Sequence, residues 1–395
     1  METIRSKCDL TLNDSICYTI ALMTASVFQH EMLREIYQQP GALSETIENY
    51  APDGKLASGV FQPVADALGS RSRLVIAASG SSRHAGLAAE IMLEDLAGLV
   101  VDVEYASEYV YRSTHTIQDP GVLVISQSGE TADTLAALRE AKARGLSTLA
   151  ITNNSRSSMA LEADASLPTY AGTEKAIPAT KSFTTQLAVL YSLALYLARI
   201  RGRMTAPAVE SHIEDLRRLP LLLESALAKW QQQIVALAPA LKGSRAFLYL
   251  GRGLHYAIAR EGALKLKESA YLQAEGYPAG ELKHGPNALV SPDTPLVVIA
   301  THDVADPDAM LRYRKLLQLM KDMRAQGATL IVIATEGDEE ARALANWCIE
   351  VPRTEDMLAT MLEVVPLQLI AYQLAIQNGI DVDKPRNLVK AVLQE

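Results

Sequence analysis

Hydrophobic residues in this chain gather into short runs, all but 246–250 rich in β-branched side chains, at 74–78, 122–125, 148–151, 246–250, 296–300 and 329–333. Between them lie longer stretches whose apolar positions recur with helical spacing. A strand buried on both faces reads as a continuous apolar run, so this alternation predicts parallel sheets covered by helices on both sides. The layout occurs twice. Ser72-Arg73 leads into Leu74–Ala78, then Ser79-Gly80-Ser81-Ser82 and an Ala-rich helix. Ser244-Arg245 leads into Ala246–Leu250, then Gly251-Arg252-Gly253 and a second Ala-rich helix. Pro120 before Val122–Ile125 and Pro295 before Leu296–Ala300 continue the match. The pattern predicts an α/β protein with two doubly wound parallel-sheet domains in tandem, over residues 56–205 and 236–377. A helical lead-in (23–55), a helical connector (206–235) and a charged C-terminal tail (378–395) complete the expected organisation. Residues 1–22 fit poorly with the polar, helix-patterned segment that Met23 opens, and are expected to be disordered or to derive from a misassigned start codon.

Length and composition narrow the class. At 395 residues, 49% hydrophobic and with formal net charge −9, the chain reads as a soluble multidomain protein. The acidic balance and the lack of basic blocks argue against nucleic-acid binding. The N-terminal apolar run Cys17–Phe28 is too short to span a bilayer, so no membrane association is expected. Three cysteines without metal-ligand spacing suggest a reducing, cytoplasmic compartment, and neither a metal nor a cofactor is expected.

Two segments carry candidate chemistry. In Val124-Ile125-Ser126-Gln127-Ser128-Gly129-Glu130-Thr131 a strand feeds a polar, glycine-containing loop into a helix start. Unpaired amides and hydroxyls there suit a sugar phosphate. An ordinary capped helix start, with Ser128 or Thr131 as the cap, is the plain alternative. A helix predicted over His255–Glu275 places Glu261, Lys265, Glu268 and Glu275 on one face. That is a solvated ion-pair stripe unless the helix is buried, as its many Ala and Leu residues suggest. Gly280–Pro286 comes next and sets His284 on a glycine-flanked turn. Carboxylate, imidazole and ammonium beside a phosphate seat are the equipment of aldose–ketose isomerisation. A dinucleotide site is disfavoured, because His255-Tyr256 follow Gly251-Arg252-Gly253 where a third glycine is required.

These residues resemble a known family, the tandem sugar isomerase (SIS) domain proteins with flavodoxin-like domains. The resemblance rests on Glu35–Pro40, Ser126–Thr134, Ala171–Glu174, Thr180–Gln186, Glu261–Glu268, Gly280–Pro286 and Asp383–Lys390. It is strongest to the isomerase half of the glutamine–fructose-6-phosphate aminotransferases and to the stand-alone glucosamine-6-phosphate deaminases. It implies phosphate binding by Gly80, Ser81, Ser82, Ser126, Gln127, Ser128 and Thr131, and sugar contacts from Ile177, Ala179 and Thr180. It implies a C1–C2 proton shift by Glu268 assisted by Lys265, and imine formation by Lys390. Ring opening would fall to His284, reaching across a homodimer. Ala179 stands where the resemblance implies a serine of the aminotransferases, and no glutaminase region is expected beside the isomerase-like one. The implied activity is an isomerising deaminase acting on glucosamine 6-phosphate. The alternatives are a synthase using free ammonia or a separate glutaminase subunit, and a sugar-phosphate sensor without catalysis.

Overall fold

The computed structural model describes residues 28–112 and 120–393. The expectation for residues 1–22 and the start of the lead-in fall outside them. Two five-stranded sheets form, every pairing parallel. The first holds β1 (Arg73–Ala78), β2 (Val100–Tyr105), β3 (Gly121–Ser126), β4 (Thr148–Thr152) and β5 (Ala165–Pro168), in the order β2-β1-β3-β4-β5. The second holds β6 (Ala246–Gly251), β7 (Gln273–Pro278), β8 (Leu296–Ala300), β9 (Leu330–Thr335) and β10 (Trp347–Val351), in the order β7-β6-β8-β9-β10. The two orders are the same topology, the doubly wound α/β arrangement read from the repeat.

The six strands foreshadowed by apolar runs are β1, β3, β4, β6, β8 and β9, all internal to their sheets. The other four, β2, β5, β7 and β10, are the sheet edges, where burial is broken by half-exposed positions. An edge strand is covered less completely, so it needs no continuous apolar run. One edge corrects the sequence reading. The helix expected over His255–Glu275 stops at Ala270, because Tyr271 turns into the left-handed region (φ 56°, ψ 32°) and the chain re-enters the sheet as β7. Glu275 therefore lies on a strand and leaves the face shared by Glu261, Lys265 and Glu268.

Two helices, Lys181–Ile200 and Asp356–Gln377, are long and apolar enough to cross a membrane, yet 89% of each apolar window is buried inside the protein. They are core helices. The largest apolar cluster runs from Ile76 and Ile125 of the first sheet through Phe183, Leu190 and Trp230 to Phe247, Leu362 and Leu369. The sheets thus share one core, crossed by the long helix Ala206–Leu237. The helices after the first strand of each copy, Gly80–Ala97 and His255–Ala270, pack against one another. Gly262 permits a close approach behind the second of these. A Cβ there would sit 2.7 Å from Leu367 Cδ1 and 2.9 Å from Tyr249 Cε1. The tail beyond Asn378 is irregular but anchored. Asp383 accepts from the amides of Glu31 (2.8 Å) and Met32 (3.0 Å), and the Val392 carbonyl accepts from Ala132 N (3.0 Å).

Candidate active site

Strand order reverses between β1 and β3, which opens a crevice at their carboxyl ends. Ala78 and Ile125 are register partners, so the segments Ser79–Ser82 and Ser126–Thr131 leave the sheet side by side. In the second segment Ser126 Oγ lies 2.9 Å from Thr131 Oγ1 and 3.4 Å from Ser128 Oγ. Gly129 N donates to Ser126 Oγ (3.2 Å) and Glu130 N to Ser128 Oγ (3.1 Å). The fold of this loop requires glycine at 129. Its φ is 70°, and a Cβ would fall 2.1 Å from Ser157 Oγ. Thr131 occupies the N-cap position of helix Ala132–Ala143, yet its side chain makes no capping bond. The three hydroxyls bond one another and two loop amides, all uncharged groups, so an anion can replace those contacts without stranding a charge. Gln127 is half-buried beside them, with its carbonyl accepting from Asn153 N (3.1 Å).

The neighbouring segment links this loop to the second copy. Gly80 opens its helix at φ 54°, and Ser82 Oγ accepts from Gln186 Nε2 (3.0 Å). Ser81 Oγ accepts from Lys265 Nζ (3.1 Å). Lys265 is fully buried and also binds Glu268 Oε2 (2.5 Å) and Glu261 Oε1 (3.4 Å), while Glu261 Oε2 meets His84 Nδ1 (2.8 Å). Burial opposes a charge on Lys265, but Glu261 and Glu268 outweigh it and hold the ammonium above the ordinary lysine range. Burial likewise opposes charge on Glu261, and Lys265 and His84 override it, keeping the carboxyl below its usual range. Lys265 is thus a fixed cation between the Ser81 segment and Glu268, whose side chain remains 23% exposed and open to a ligand.

A third wall comes from residues 173–182. Ile177 and Ala179 are half-buried, and Thr180 is buried with its Oγ1 lacking a hydrogen-bond partner. Glu174 organises this wall by accepting from Thr180 N (3.0 Å), Ser182 N (3.1 Å) and Ser182 Oγ (2.7 Å). The tail delivers Lys390 here, where Nζ binds Glu174 Oε2 (2.5 Å) and the Ala176 carbonyl (2.7 Å). Burial opposes ionisation of Glu174, and Lys390 with the amide and hydroxyl donors reverses that, keeping it below the carboxylate range. Behind it Glu35 accepts from Lys175 N (2.5 Å) and Ala176 N (3.1 Å), and burial pushes its carboxyl up to about 7. Lys181 Nζ ties the same wall to Gln38 Oε1 (2.9 Å) and the Thr173 carbonyl (2.7 Å).

The structure therefore brings Ser81, Lys265 and Glu268 together, and separately Lys390 with the 174–180 wall. His284 stands apart. It is exposed at the end of the short 3₁₀ helix Ala279–His284, and among the described residues it makes no hydrogen bond or ion pair. His84 escaped the sequence reading, whereas Glu35, Glu174 and Lys181 entered it only within segments that carry the family resemblance, and Glu261 there and as part of a charged stripe, none with a role of its own. The one local signal for Glu174 and Lys181 is charge flanking a long apolar helix, which does not name a partner.

The SIS domain family matches residues 67–196 and 240–377. The chain belongs to it. Glutamine–fructose-6-phosphate aminotransferase (isomerizing) of Pseudomonas putida is 44% identical over 370 residues, covering 93% of this chain and 59% of that protein. The enzyme of the same name from Gloeobacter violaceus is 40% identical over 383 residues, covering 96% of this chain and 61% of its own length. The chain thus spans about three-fifths of these relatives. Among solved structures, the C-terminal domain of glucosamine-fructose-6-phosphate aminotransferase from Francisella tularensis aligns with TM-score 0.82 at 35% identity, covering 92% of this chain and all of that one. Glucosamine-6-phosphate deaminase from Thermotoga maritima aligns with TM-score 0.71 at 25% identity, covering 92% of this chain and 99% of the other.

Proposed function

We propose that this SIS protein is an isomerising deaminase that converts glucosamine 6-phosphate to fructose 6-phosphate and ammonia. The observation that carries the reading is buried Lys265, which donates to Ser81 on the phosphate side and to Glu268 on the other. That bridge joins an anion seat to a carboxylate held for proton transfer. Ser82, Ser126, Ser128, Thr131 and the Gln127 segment hold the phosphate, and Ile177, Ala179 and Thr180 face the sugar carbons. His284 of the partner subunit in a homodimer opens the ring. Glu268 then takes the proton from C2 of the open-chain aldehyde and returns it to C1, while one amine proton passes to O1, leaving a C1 alcohol and a 2-imine. Water adds at C2 and ammonia departs, which yields the ketose. Lys265 orients Glu268. Lys390, once released from Glu174, would condense with the ketose carbonyl with loss of water to form an imine, which water hydrolyses again when the product leaves. Free ammonia is dilute, so mass action favours release.

Identities of 40–44% to isomerizing aminotransferases favour a second reading, synthesis of glucosamine 6-phosphate from fructose 6-phosphate. It requires ammonia, either free or supplied by a separate glutaminase. Purified protein given glucosamine 6-phosphate should release ammonia and fructose 6-phosphate in equal amounts. Retained sugar-phosphate binding with no turnover in that direction, but amination of fructose 6-phosphate once a glutaminase is added, would replace the first reading with the second.

A further inference from the structure

A second recess, of about 380 Å³, opens between helices Gly80–Ala97 and His255–Ala270 beside β7. Its lining includes Arg83, His84, Tyr105, Arg260, Lys267 and Glu275. Arg260, Leu264 and Lys267 lie on one face of the helix that carries Lys265 and Glu268, about 100° around the axis from the face of those two residues. The recess adjoins the Ser79–Ser82 segment through Gly80, which is part of its lining, but it contains none of Ser126, Ser128, Thr131 and Glu268.

Its electrostatics are unbalanced. Arg83 is only 9% exposed, and its Nε and Nη1 are buried without a hydrogen-bond partner. Its guanidinium lies 3.7 Å over the Tyr105 ring. Arg260 donates to the hydroxyls of Tyr105 (3.1 Å) and Tyr256 (3.3 Å). Neither arginine forms an ion pair among the described residues, while the single carboxylate in the lining, Glu275, is bonded by Tyr277 and Gln273. Burial, together with the neighbouring Arg260, pulls Arg83 below its ordinary value, and the Arg260 hydrogen bond lowers the Tyr105 phenol. A buried cation with unmatched N–H groups is costly unless an acceptor arrives. Two guanidinium forks and an ammonium suit a tetrahedral dianion with several oxygens. The volume exceeds that of a bare ion and falls within the range of small-molecule sites.

We infer that the Arg83–Arg260–Lys267 recess is a second anion site, taking the phosphoryl group of a small phosphorylated metabolite or phosphate itself. The test is calorimetric titration with inorganic phosphate. The intact protein should take up two phosphates per chain. Arg83→Gln/Arg260→Gln should lose one of them, and Ser126→Ala/Thr131→Ala the other. Titrating the latter variant with glucose 6-phosphate separates the sources: binding assigns a phosphorylated metabolite, and binding of phosphate alone assigns the ion. Should the double arginine variant misfold, Arg260→Gln alone should weaken one of the two sites at least tenfold. A single phosphate per chain that survives both arginine variants overturns the inference. So does a lowered oligomeric state in those variants without loss of phosphate, since an acidic group of a second copy would then fill the recess. Stoichiometry is read without turnover, so failure of the deaminase reading leaves this result interpretable.

Discussion

The two sheets have one topology and two crevices at equivalent places, but their contents are opposite. Beyond β1 and β3 stand hydroxyls 2.9–3.4 Å apart, with no charge of their own. Beyond β6 and β8 stands a closed ionic cluster. There His255 is buried, with Nδ1 3.0 Å from Glu363 and Nε2 3.2 Å from Asp356. Asp356 also binds Arg312 (2.7 Å), and Thr301 donates to Glu363. Burial opposes a charge on His255, but Glu363 and Asp356 raise its pKa to about 10. A ligand entering the first crevice displaces hydroxyl contacts. In the second it would have to break buried ion pairs, each left uncompensated at high cost. Topology sets where a ligand could sit, and side-chain charge decides which of the two places stays open. The copies remain coupled, since the second copy's helix sends Lys265 to the first copy's Ser81.

The largest effect should come from Glu268→Gln. Under the proposed deaminase reading, turnover of glucosamine 6-phosphate should fall by about 10²–10⁴-fold, with ligand-induced thermal stabilisation retained. Turnover that survives removes Glu268 from its assigned role.

Next in size, His255→Ala leaves buried Glu363 without its cationic partner and Asp356 with Arg312 alone, and should cost about 3–5 kcal/mol in urea unfolding, while sugar-phosphate affinity is unchanged. Because the folded pKa of His255 is raised from 6.5 to about 10, its stabilisation is complete below 6.5 and fades as pH climbs towards 10. His255→Gln should flatten the loss of melting temperature over that window. An unchanged slope would show that the second crevice is not held shut by this imidazolium.

Ser126→Ala/Thr131→Ala should weaken sugar-phosphate binding about 10–100-fold, as expected for losing hydrogen bonds to a charged group, with little change in the unliganded melting temperature. Thr301→Ala should do the reverse. If it also weakened binding, the two crevices would not be as distinct as their side chains indicate.

The smallest effect concerns Glu35. With its carboxyl raised from 4.5 to about 7, the folded protein holds a proton that the unfolded chain has lost, so stability declines as pH rises between those values. Glu35→Gln should remove that slope in melting curves. A persistent slope would assign it to other groups.

The legible features of the chain are those that local physics dictates. The six internal strands announce themselves because burial on both faces demands unbroken apolar runs, whereas the edge strands do not. β7, for instance, carries Glu275 and Gly276, and its pattern reads as the end of a helix. The Ser126–Thr131 loop and the Lys265–Glu268 pair are visible because each depends on neighbours within five residues.

Sequence alone thus determined the doubled α/β layout, the polar loop and the charged helix, since periodicity and turn chemistry act over short separations. Tertiary structure alone decided that Lys390 meets Glu174, that Glu35 supports the Ala176 amide, that His84 meets Glu261 and that His255 is locked between Asp356 and Glu363. A charge on a linear chain does not name its partner. Whether it becomes a solvated surface group or a fixed ion depends on the burial and opposite charge that folding brings beside it.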